Sequence, residues 1–348
     1  MVRRGKTFLI SAAAALAVLA AAPPQGSSIA TLIALVRKAI EKKEADGKLA
    51  GELHKLWLAQ SLDDRTIEEL ESEGAGPKSV AELLDLRDAS ANLPPPVALP
   101  DFSAPPLPLR SEQDQILKSA AAHADSYSSS LPDFICTEMI HRYEDLGGTG
   151  KWKLKDVLKV KLTYFEKRED YQLVAINNHP TARDYDFESV GGAVSEGEFG
   201  TDLVNIFLPE SQTRIRWDHW THLRRHAAHV FFYRIATANS RARIEFGYKG
   251  SRIESAIAGE HGFFYVDRES NQVLRINRTN DLPASFPVRK ATMLLDYDFV
   301  TVGGRQFLLP LRADMRMATD YILTRNQIEF TDYRKFEGES KITFEGAK

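Results

Sequence analysis

The sequence predicts an α+β protein: a large, curved antiparallel β-sheet (an unclosed barrel with a few helices on its concave face) preceded by a small all-helical segment. Of the 33 aromatic residues, 30 follow position 111, so the chain divides sharply by composition. After Pro132 the apolar spacing changes from the helical period to the alternation typical of strands. Few helical stretches separate the strand candidates and none alternates strictly with them, which argues against a parallel α/β fold.

Length and composition set the broad class. The 348 residues suggest about two domains. With 43 % apolar and 27 % charged residues, the chain is neither collagen, coiled coil, a disordered protein nor a multi-span membrane protein. A formal charge of −3 gives no strong field toward nucleic acid. The single cysteine, Cys136, excludes an intrachain disulfide framework and a four-cysteine zinc site, and its apolar surroundings predict a buried thiol.

Residues 1–30 have the layout of a signal peptide. A basic start precedes the apolar run Phe8–Ala22, which ends at Pro23. As a helix, this run would rise about 22 Å, less than the roughly 30 Å hydrocarbon core of a bilayer. The pattern favours a secretory signal, with cleavage after Ser28 or Ala30, over an uncleaved anchor. We therefore expect a periplasmic or secreted protein.

Residues 31–92 read as four short helices. Asp63 or Asp64 can cap the third, Gly74 can end it, and Pro77 suits the first turn of the fourth. The turn between them is similar to the Gly-x-Gly turn of helix-hairpin-helix nucleic-acid modules. The acidic residues beside it favour a simpler explanation, in which the glycine ends one helix and the proline begins the next. This segment is a candidate interaction module for an envelope protein.

The rest of the chain is a proline-rich linker followed by the β domain. Residues 93–111 contain seven prolines, a composition that favours extended backbone and marks a domain boundary. We assign residues 112–348 to the antiparallel half-barrel, beginning with a helix from Glu112 to about Ser128. A second short helix is predicted over Gly200–Leu208, which ends at a proline.

The clearest strand covers Trp152–Phe165. Its apolar side chains alternate with a stripe of lysines at positions 151, 153, 155, 159 and 161. At about 3.3 Å per residue a strand of this length exceeds the usual one, and it remains in one sheet only if the sheet is strongly curved. The stripe is most simply a solvated face, and it could alternatively contact anionic lipid head groups or an acidic partner.

Further strand candidates follow at short intervals, with hairpin turns at Asp267–Gln272 and Gly303–Gly304. The candidates are Tyr171–Asn177, Arg214–Trp217, Val230–Ile235, Arg241–Phe246, Gly262–Val266, Val273–Asn277, Lys290–Phe299, Gln306–Leu309, Leu311–Met317, Tyr321–Asp332 and Lys341–Phe344.

Two stretches of this domain resemble the outer-membrane lipoprotein carriers (LolA/LolB-like). One is a helix followed by Leu131-Pro132-Asp133-Phe134 and a strand. The other is a hairpin in which a Val-Asp strand end, at Val266 and Asp267, precedes a strand with an apolar-Arg-apolar pattern. The resemblance covers roughly residues 112–346. It implies an unclosed antiparallel barrel whose helices cover a hydrophobic cavity for acyl chains, whereas related domains serve as sensors or lipid-binding modules.

Strand alternation gives a set of candidate ligand-binding residues on the concave face, because a curved sheet must fill that face with side chains, helices or ligand. The candidates are Leu154, Leu158, Leu162, Tyr164, Phe263, Tyr265, Leu274, Ile276, Met293, Leu295, Tyr297, Met315 and Met317. Methionine suits a site for flexible chains. The alternative is a dry core packed against the helices, and a slip of one residue in any strand would invert its face.

Two constellations could carry chemistry. Four histidines at positions 219, 222, 226 and 229 have the spacing of a metal site on a helix, but they flank a turn at Arg224 and Arg225. On strands the rings would lie on both faces. Ser195 has a spacing close to that of a nucleophile elbow, yet the glycines around it favour a loop, which could act as a lid. The aspartates 296, 298 and 314 form no evident acid/base pair.

We therefore expect a non-enzymatic, cofactor-free exported protein that binds an apolar ligand, namely a lipid or an acylated protein, as a lipoprotein or lipid carrier. An envelope interaction or sensing module with a filled core is the second hypothesis. An exported hydrolase using Ser195 or the histidines is the third. Nucleic acid is not expected as a partner.

Overall fold

A computed structural model describes residues 26–96, 106–148, 151–182, 190, 200–247 and 254–336. The predicted signal run, the Ser195 loop and the strand candidate Lys341–Phe344 lie outside the described residues.

The front of the chain forms a helical unit with its own apolar core, built mainly from leucines. Asp63 caps the third helix by accepting a hydrogen bond from the Thr66 amide at 2.9 Å, and Gly74 ends that helix with φ +121°. These caps are the ones that the sequence predicts. The helices are α1 (Ile29–Glu41), α2 (Asp46–Leu53), α3 (Asp64–Glu73) and α4 (Pro77–Ser90).

The first helix begins inside the predicted signal segment. Ser28 caps α1, and the Ser27 amide donates to the Trp57 carbonyl at 2.6 Å. A cut after Ser28 or Ala30 would therefore remove the cap or the first turn of a folded helix. The helical spacing of Leu49, Leu53, Leu56 and Trp57 predicts that Trp57 lies on the apolar side of α2, but Trp57 follows the helix and is 82 % exposed, so that prediction is wrong.

Eleven strands form one antiparallel sheet, in the order β4-β3-β2-β1-β13-β12-β11-β10-β9-β6-β5, and the sheet is curved and unclosed as predicted. A hairpin of β7 and β8 forms a separate two-stranded sheet that packs on an apolar cluster at the start of β11. The strands are β1 (Phe134–Leu146), β2 (Lys153–Phe165), β3 (Arg168–Ile176), β4 (His179–Pro180), β5 (Arg214–Leu223), β6 (His226–Ile235), β7 (Arg243–Phe246), β8 (Glu254–Ile257), β9 (Gly259–Asp267), β10 (Val273–Asp281), β11 (Val288–Val302), β12 (Arg305–Thr319) and β13 (Ile322–Lys335).

Two predicted strands are in fact one. The sequence suggests a break at Pro310, because proline cannot donate a ladder hydrogen bond. The structure continues β12 through Pro310, opposite Tyr297, and places a bulge in the pairing at Asp296 and Tyr297. The bulge accommodates the missing proline hydrogen bond, so β12 continues as one long strand past Pro310.

Both faces of the sheet are covered by helices. The face that carries the main apolar core, here called the inner face, is covered by α5 (Arg110–Ser130) and α6 (Thr201–Phe207). The opposite outer face receives α3 and α4 of the helical unit through side-chain contacts. No helix in the described part of the chain combines the length and the hydropathy needed to cross a membrane.

Candidate functional site

Strand register brings most of the thirteen predicted ligand-binding residues onto the inner face. Cross-strand partners share a face, and Ile276 opposes Leu295, Met293 opposes Met315, and Ile140 opposes Leu158. Tyr297 reaches the same face, where its ring meets α5. The residues on this face are Leu158, Leu162, Tyr164, Leu274, Ile276, Met293, Leu295, Tyr297, Met315 and Met317.

The other three predicted residues do not join them. Tyr265 opposes Arg275 and Phe263 opposes Asn277, so both lie on the outer face, whereas Phe264 points inward. Leu154 follows a bulge in the β1–β2 pairing and is 53 % exposed. The predicted face is therefore wrong for Phe263 and Tyr265 because the β9–β10 register, which no single strand reveals, sets their orientation.

Helix α5 packs closely against the inner face. Its buried alanines, Ala120 and Ala124, allow the backbone to approach the sheet. The Tyr127 ring meets Tyr297 edge-on at 6.0 Å, and the Tyr164 hydroxyl donates to the Ser128 carbonyl at 3.0 Å. Leu274, Leu295 and Tyr297 are fully buried here. The central part of the face is thus filled by protein side chains.

Where β11 begins and β12 ends, the inner face carries a second, small apolar cluster at Val288 and Ala291. Met317 and two residues of the β7–β8 hairpin, Ile244 and Phe246, pack against it. Met315 and Met317 are half-buried, and Met315 lies opposite Met293. The same face carries a buried ion pair, in which Arg142 Nε donates to Asp156 at 2.6 Å. A methionine rim beside a fixed ion pair can contact an apolar chain and the polar group at its end.

Helix α6 is fastened to the inner face by charge. Arg278 pairs with Asp202 of α6 and lies 3.9 Å from Glu260. Burial raises the pKa of Glu260. Phe207 packs edge-on against Phe264 with ring centroids 5.4 Å apart. The short helix therefore has an apolar and an ionic anchor on strands β9 and β10.

The outer face carries a buried ion network that the sequence analysis missed. Asp296 is fully buried and accepts hydrogen bonds from Arg275 at 2.5 Å and Arg312 at 2.7 Å. Glu71 of α3 pairs with the same two arginines. Burial alone would raise the pKa of Asp296, but the charges of Arg275, Arg312 and Arg224 hold it well below its ordinary range.

A second cluster extends the network to α4. Asp314 bridges Arg316 and Arg325, and Asp85 of α4 contacts both arginines at 2.7 and 2.8 Å. Burial opposes ionisation of Asp314, yet the two guanidinium groups lower its pKa. Buried charges of this kind are tolerated because each has partners, so the two clusters fix where the helical unit sits.

A small cleft remains along this interface. It has a volume of about 230 Å³ and is lined by helical residues such as Asp64 and Leu84 and by outer-face residues such as Phe263, Asn277 and Thr292. Its cations and carboxylates are balanced, and several of them, Arg316, Asp314 and Arg87 among them, are already paired. The cleft is a seam between the two parts of the chain.

His219 joins α3 to strand β5. Its Nε2 lies 3.1 Å from Glu68, its Nδ1 lies 2.9 Å from Asp218, and the Tyr265 hydroxyl donates to Glu68 at 2.5 Å. Burial alone would lower the pKa of His219, but Glu68 and then Asp218 raise it above its ordinary value. The protonated imidazole therefore helps to hold α3 on the sheet.

We expect this contact to weaken as the pH rises. A raised folded-state pKa gives stability that is fully present below the ordinary histidine value, about 6.5, and is lost as the pH passes the folded value. Between about pH 6 and about pH 9 the wild type should lose more stability in urea unfolding than His219→Gln. His222→Gln, an exposed histidine on the same strand, should match the wild type; equal pH dependence in all three proteins would contradict this role.

The structure does not bring the four histidines together. His219 opposes Val230 and faces α3. His229, the neighbour of Val230 on β6, therefore lies on the inner face, where its ring centroid is 4.0 Å from that of Trp220. His226 instead pairs with Asp267. No group of three or more potential metal ligands occurs among the described residues. The strand placement scatters the rings over both faces, as the sequence predicts.

Cys136 lies on the inner face, as a buried residue opposite Leu162. Burial raises the pKa of its thiol well above the ordinary range. A thiol held in this form is a poor nucleophile, so the prediction of a buried apolar cysteine is confirmed.

No protein-family model matches this chain, and no curated protein matches it. Similar solved structures include three for which the match covers 66 % of this chain. A LolA superfamily protein from Nitrosomonas europaea has 10 % identity, 96 % of its own chain covered and a TM-score of 0.29. A putative outer membrane lipoprotein-sorting protein domain from Vibrio parahaemolyticus has 10 % identity, 95 % of its own chain covered and a TM-score of 0.32. A DUF1329 family protein from Desulfovibrio piger has 9 % identity, 94 % of its own chain covered and a TM-score of 0.28.

These neighbours are the kind of protein that the sequence layout resembles.

Proposed function

We propose that this chain is an exported, non-enzymatic protein that binds an apolar ligand, a lipid or the acyl chain of a lipoprotein, on the inner face, and that it acts in the periplasm as a carrier. The observation that supports this is the methionine rim: Met315 is half-buried at the edge of the main apolar core, and Met317 is half-buried against the small cluster beside it. A bound chain would bury surface that α5 and α6 leave partly exposed, which favours binding by about 25 cal/mol per Å² of apolar area.

The test is uptake of a fluorescent long-chain fatty acid, together with native mass spectrometry of protein purified from periplasm. We expect wild type to bind the fatty acid and to carry lipid, and Met315→Glu to weaken uptake by at least about tenfold, since a buried charge opposes an apolar chain. Met139→Glu is the matched control because Met139 is half-buried on the outer face of the same sheet.

The control should bind the fatty acid as the wild type does, and both variants are compared by thermal unfolding to show that they remain folded. A wild type that takes up no fatty acid and carries no lipid would refute the proposal.

A second candidate function is favoured by the full burial of Leu274, Leu295 and Tyr297. A face this completely filled suits an envelope-sensing or interaction protein whose core accepts no ligand. Its partner would bind the exposed side of the helical unit, where Trp57 is 82 % exposed. This candidate predicts no fatty-acid uptake and a specific protein contact that Trp57→Ser abolishes.

A further inference from the structure

One end of the sheet exposes apolar side chains from three separate segments. Tyr321 is 83 % exposed, Leu146 is 67 % exposed and Leu154 is 53 % exposed. They lie in the turn between β12 and β13, at the end of β1 and at the start of β2. The Gly147 amide donates to the Tyr321 carbonyl at 3.1 Å, so the end of β1 lies beside this turn. Leu154 opposes Tyr143, three residues before Leu146 on β1. Exposed apolar groups gathered at one end of a sheet mark an interaction surface.

The charges that are free at this end are positive. Lys151 and Lys153 are exposed, and neither has an ion-pair partner among the residues that the structure describes. The acidic neighbours are engaged: Glu144 pairs with Lys155 at 2.8 Å, and Asp320 pairs with Arg289 at 2.7 Å. The surface therefore combines protruding apolar tips with uncompensated lysines.

We propose that this sheet-end patch (Leu146, Lys151, Lys153, Leu154 and Tyr321) docks the protein on the surface of an anionic lipid bilayer. Leucine side chains enter the boundary of the acyl region, a tyrosine places its ring and hydroxyl at the interface, and lysines contact anionic head groups. Each lysine near such a surface contributes about 1 kcal/mol. An acidic protein partner would meet the same lysines, but three apolar residues on projecting turn and strand ends suit the plane of a bilayer.

If the protein is a lipid carrier as proposed above, the position of the patch would help a ligand to enter or leave. Met317 lies two residues before the end of β12, close in sequence to Tyr321. Docking by the patch would bring the half-buried methionine rim toward the head groups. An acyl chain would then have only a short path between the bilayer and the inner face.

The experiment is co-sedimentation of the full chain with lipid vesicles, without added fatty acid. We expect wild type to bind vesicles of phosphatidylcholine with about a third phosphatidylglycerol, to bind phosphatidylcholine alone much more weakly, and to be released by about 0.5 M salt, which shortens the screening length. Lys151→Glu with Lys153→Glu should weaken binding by at least about 30-fold, from two lysine contributions at tenfold per 1.4 kcal/mol. Leu146→Ser with Tyr321→Ser should also weaken it.

Two matched controls separate the patch from general effects of charge and apolar exposure. Lys159→Glu with Lys161→Glu makes the same charge change on the same strand, about 20 Å further from the patch, which is beyond the screening length of about 8 Å. Trp57→Ser removes another exposed aromatic residue. Both controls should bind vesicles as the wild type does.

Three results would overturn docking by this patch: no binding of wild type to anionic vesicles, equal weakening in patch and control variants, or capture of an acidic protein without vesicle binding. Fatty-acid uptake in solution keeps the two proposals apart. Patch variants should retain it, and a protein that docks but takes up no fatty acid would refute the carrier function and leave the docking surface intact.

Discussion

We expect Glu71→Gln to lower the free energy that holds the helical unit on the sheet by about 3–5 kcal/mol, the usual cost of breaking a buried ion pair. Glu71 pairs with both Arg275 and Arg312, which are 3 % and 18 % exposed in their side chains. Without the Glu71 charge, these two arginines keep only the carboxylate of Asp296, which also contacts Arg224. Hydrogen exchange should then become faster in α3 and α4.

The matched control is Glu73→Gln, two residues later on the same helix. Glu73 pairs with Arg37 within the helical unit, at side-chain exposures of 27 % and 44 %, and such exposed pairs contribute only about 0.2–1 kcal/mol. Urea unfolding should separate the two variants clearly. Similar losses in both would show that the network does not hold the helical unit in place.

We expect Tyr127→Ala to destabilise the β domain by about 3–5 kcal/mol, the range for truncating a buried aromatic side chain. Tyr127 is 5 % exposed and packs edge-on against Tyr297 at the centre of the inner face. The lost ring would leave a cavity between α5 and the sheet. If the inner face admits acyl chains, this variant should also bind the fluorescent fatty acid at least as well as the wild type.

The comparison is Tyr321→Ala, which truncates the same residue type at an 83 % exposed position. Surface substitutions of this kind usually change stability by no more than about 0.5 kcal/mol. Thermal unfolding of both variants gives the difference directly. A Tyr127→Ala protein as stable as Tyr321→Ala would mean that α5 does not seal the inner face.

Local signals explain why the helices and long strands could be predicted. Asp63, Gly74 and Pro77 set helix ends through their own backbone and side-chain chemistry, which needs no distant partner. The alternation in Trp152–Phe165 likewise reports one buried face, and β2 covers Lys153–Phe165. For the same reason ten of the thirteen inner-face predictions share a face.

The failures occur where a partner strand decides orientation. Phe263 and Tyr265 alternate correctly within β9, but pairing with Arg275 and Asn277 turns them outward. Leu154 is displaced by a bulge opposite Arg142 and Tyr143. Alternation within a strand says which residues share a face, and only the register of the neighbouring strand says which face it is.

The sequence by itself determined the four front helices, the antiparallel β domain and the buried state of Cys136, since each follows from local spacing and chemistry. Only the tertiary structure decided that the helical unit packs on the outer face through Glu71 and Asp85. Nothing local in the sequence distinguishes Asp296, Asp314 and Arg275 from charged residues on the solvated face of a strand. Their burial depends on carboxylates more than 200 residues earlier in the chain, and long-range ion pairs of that kind leave no periodic signal.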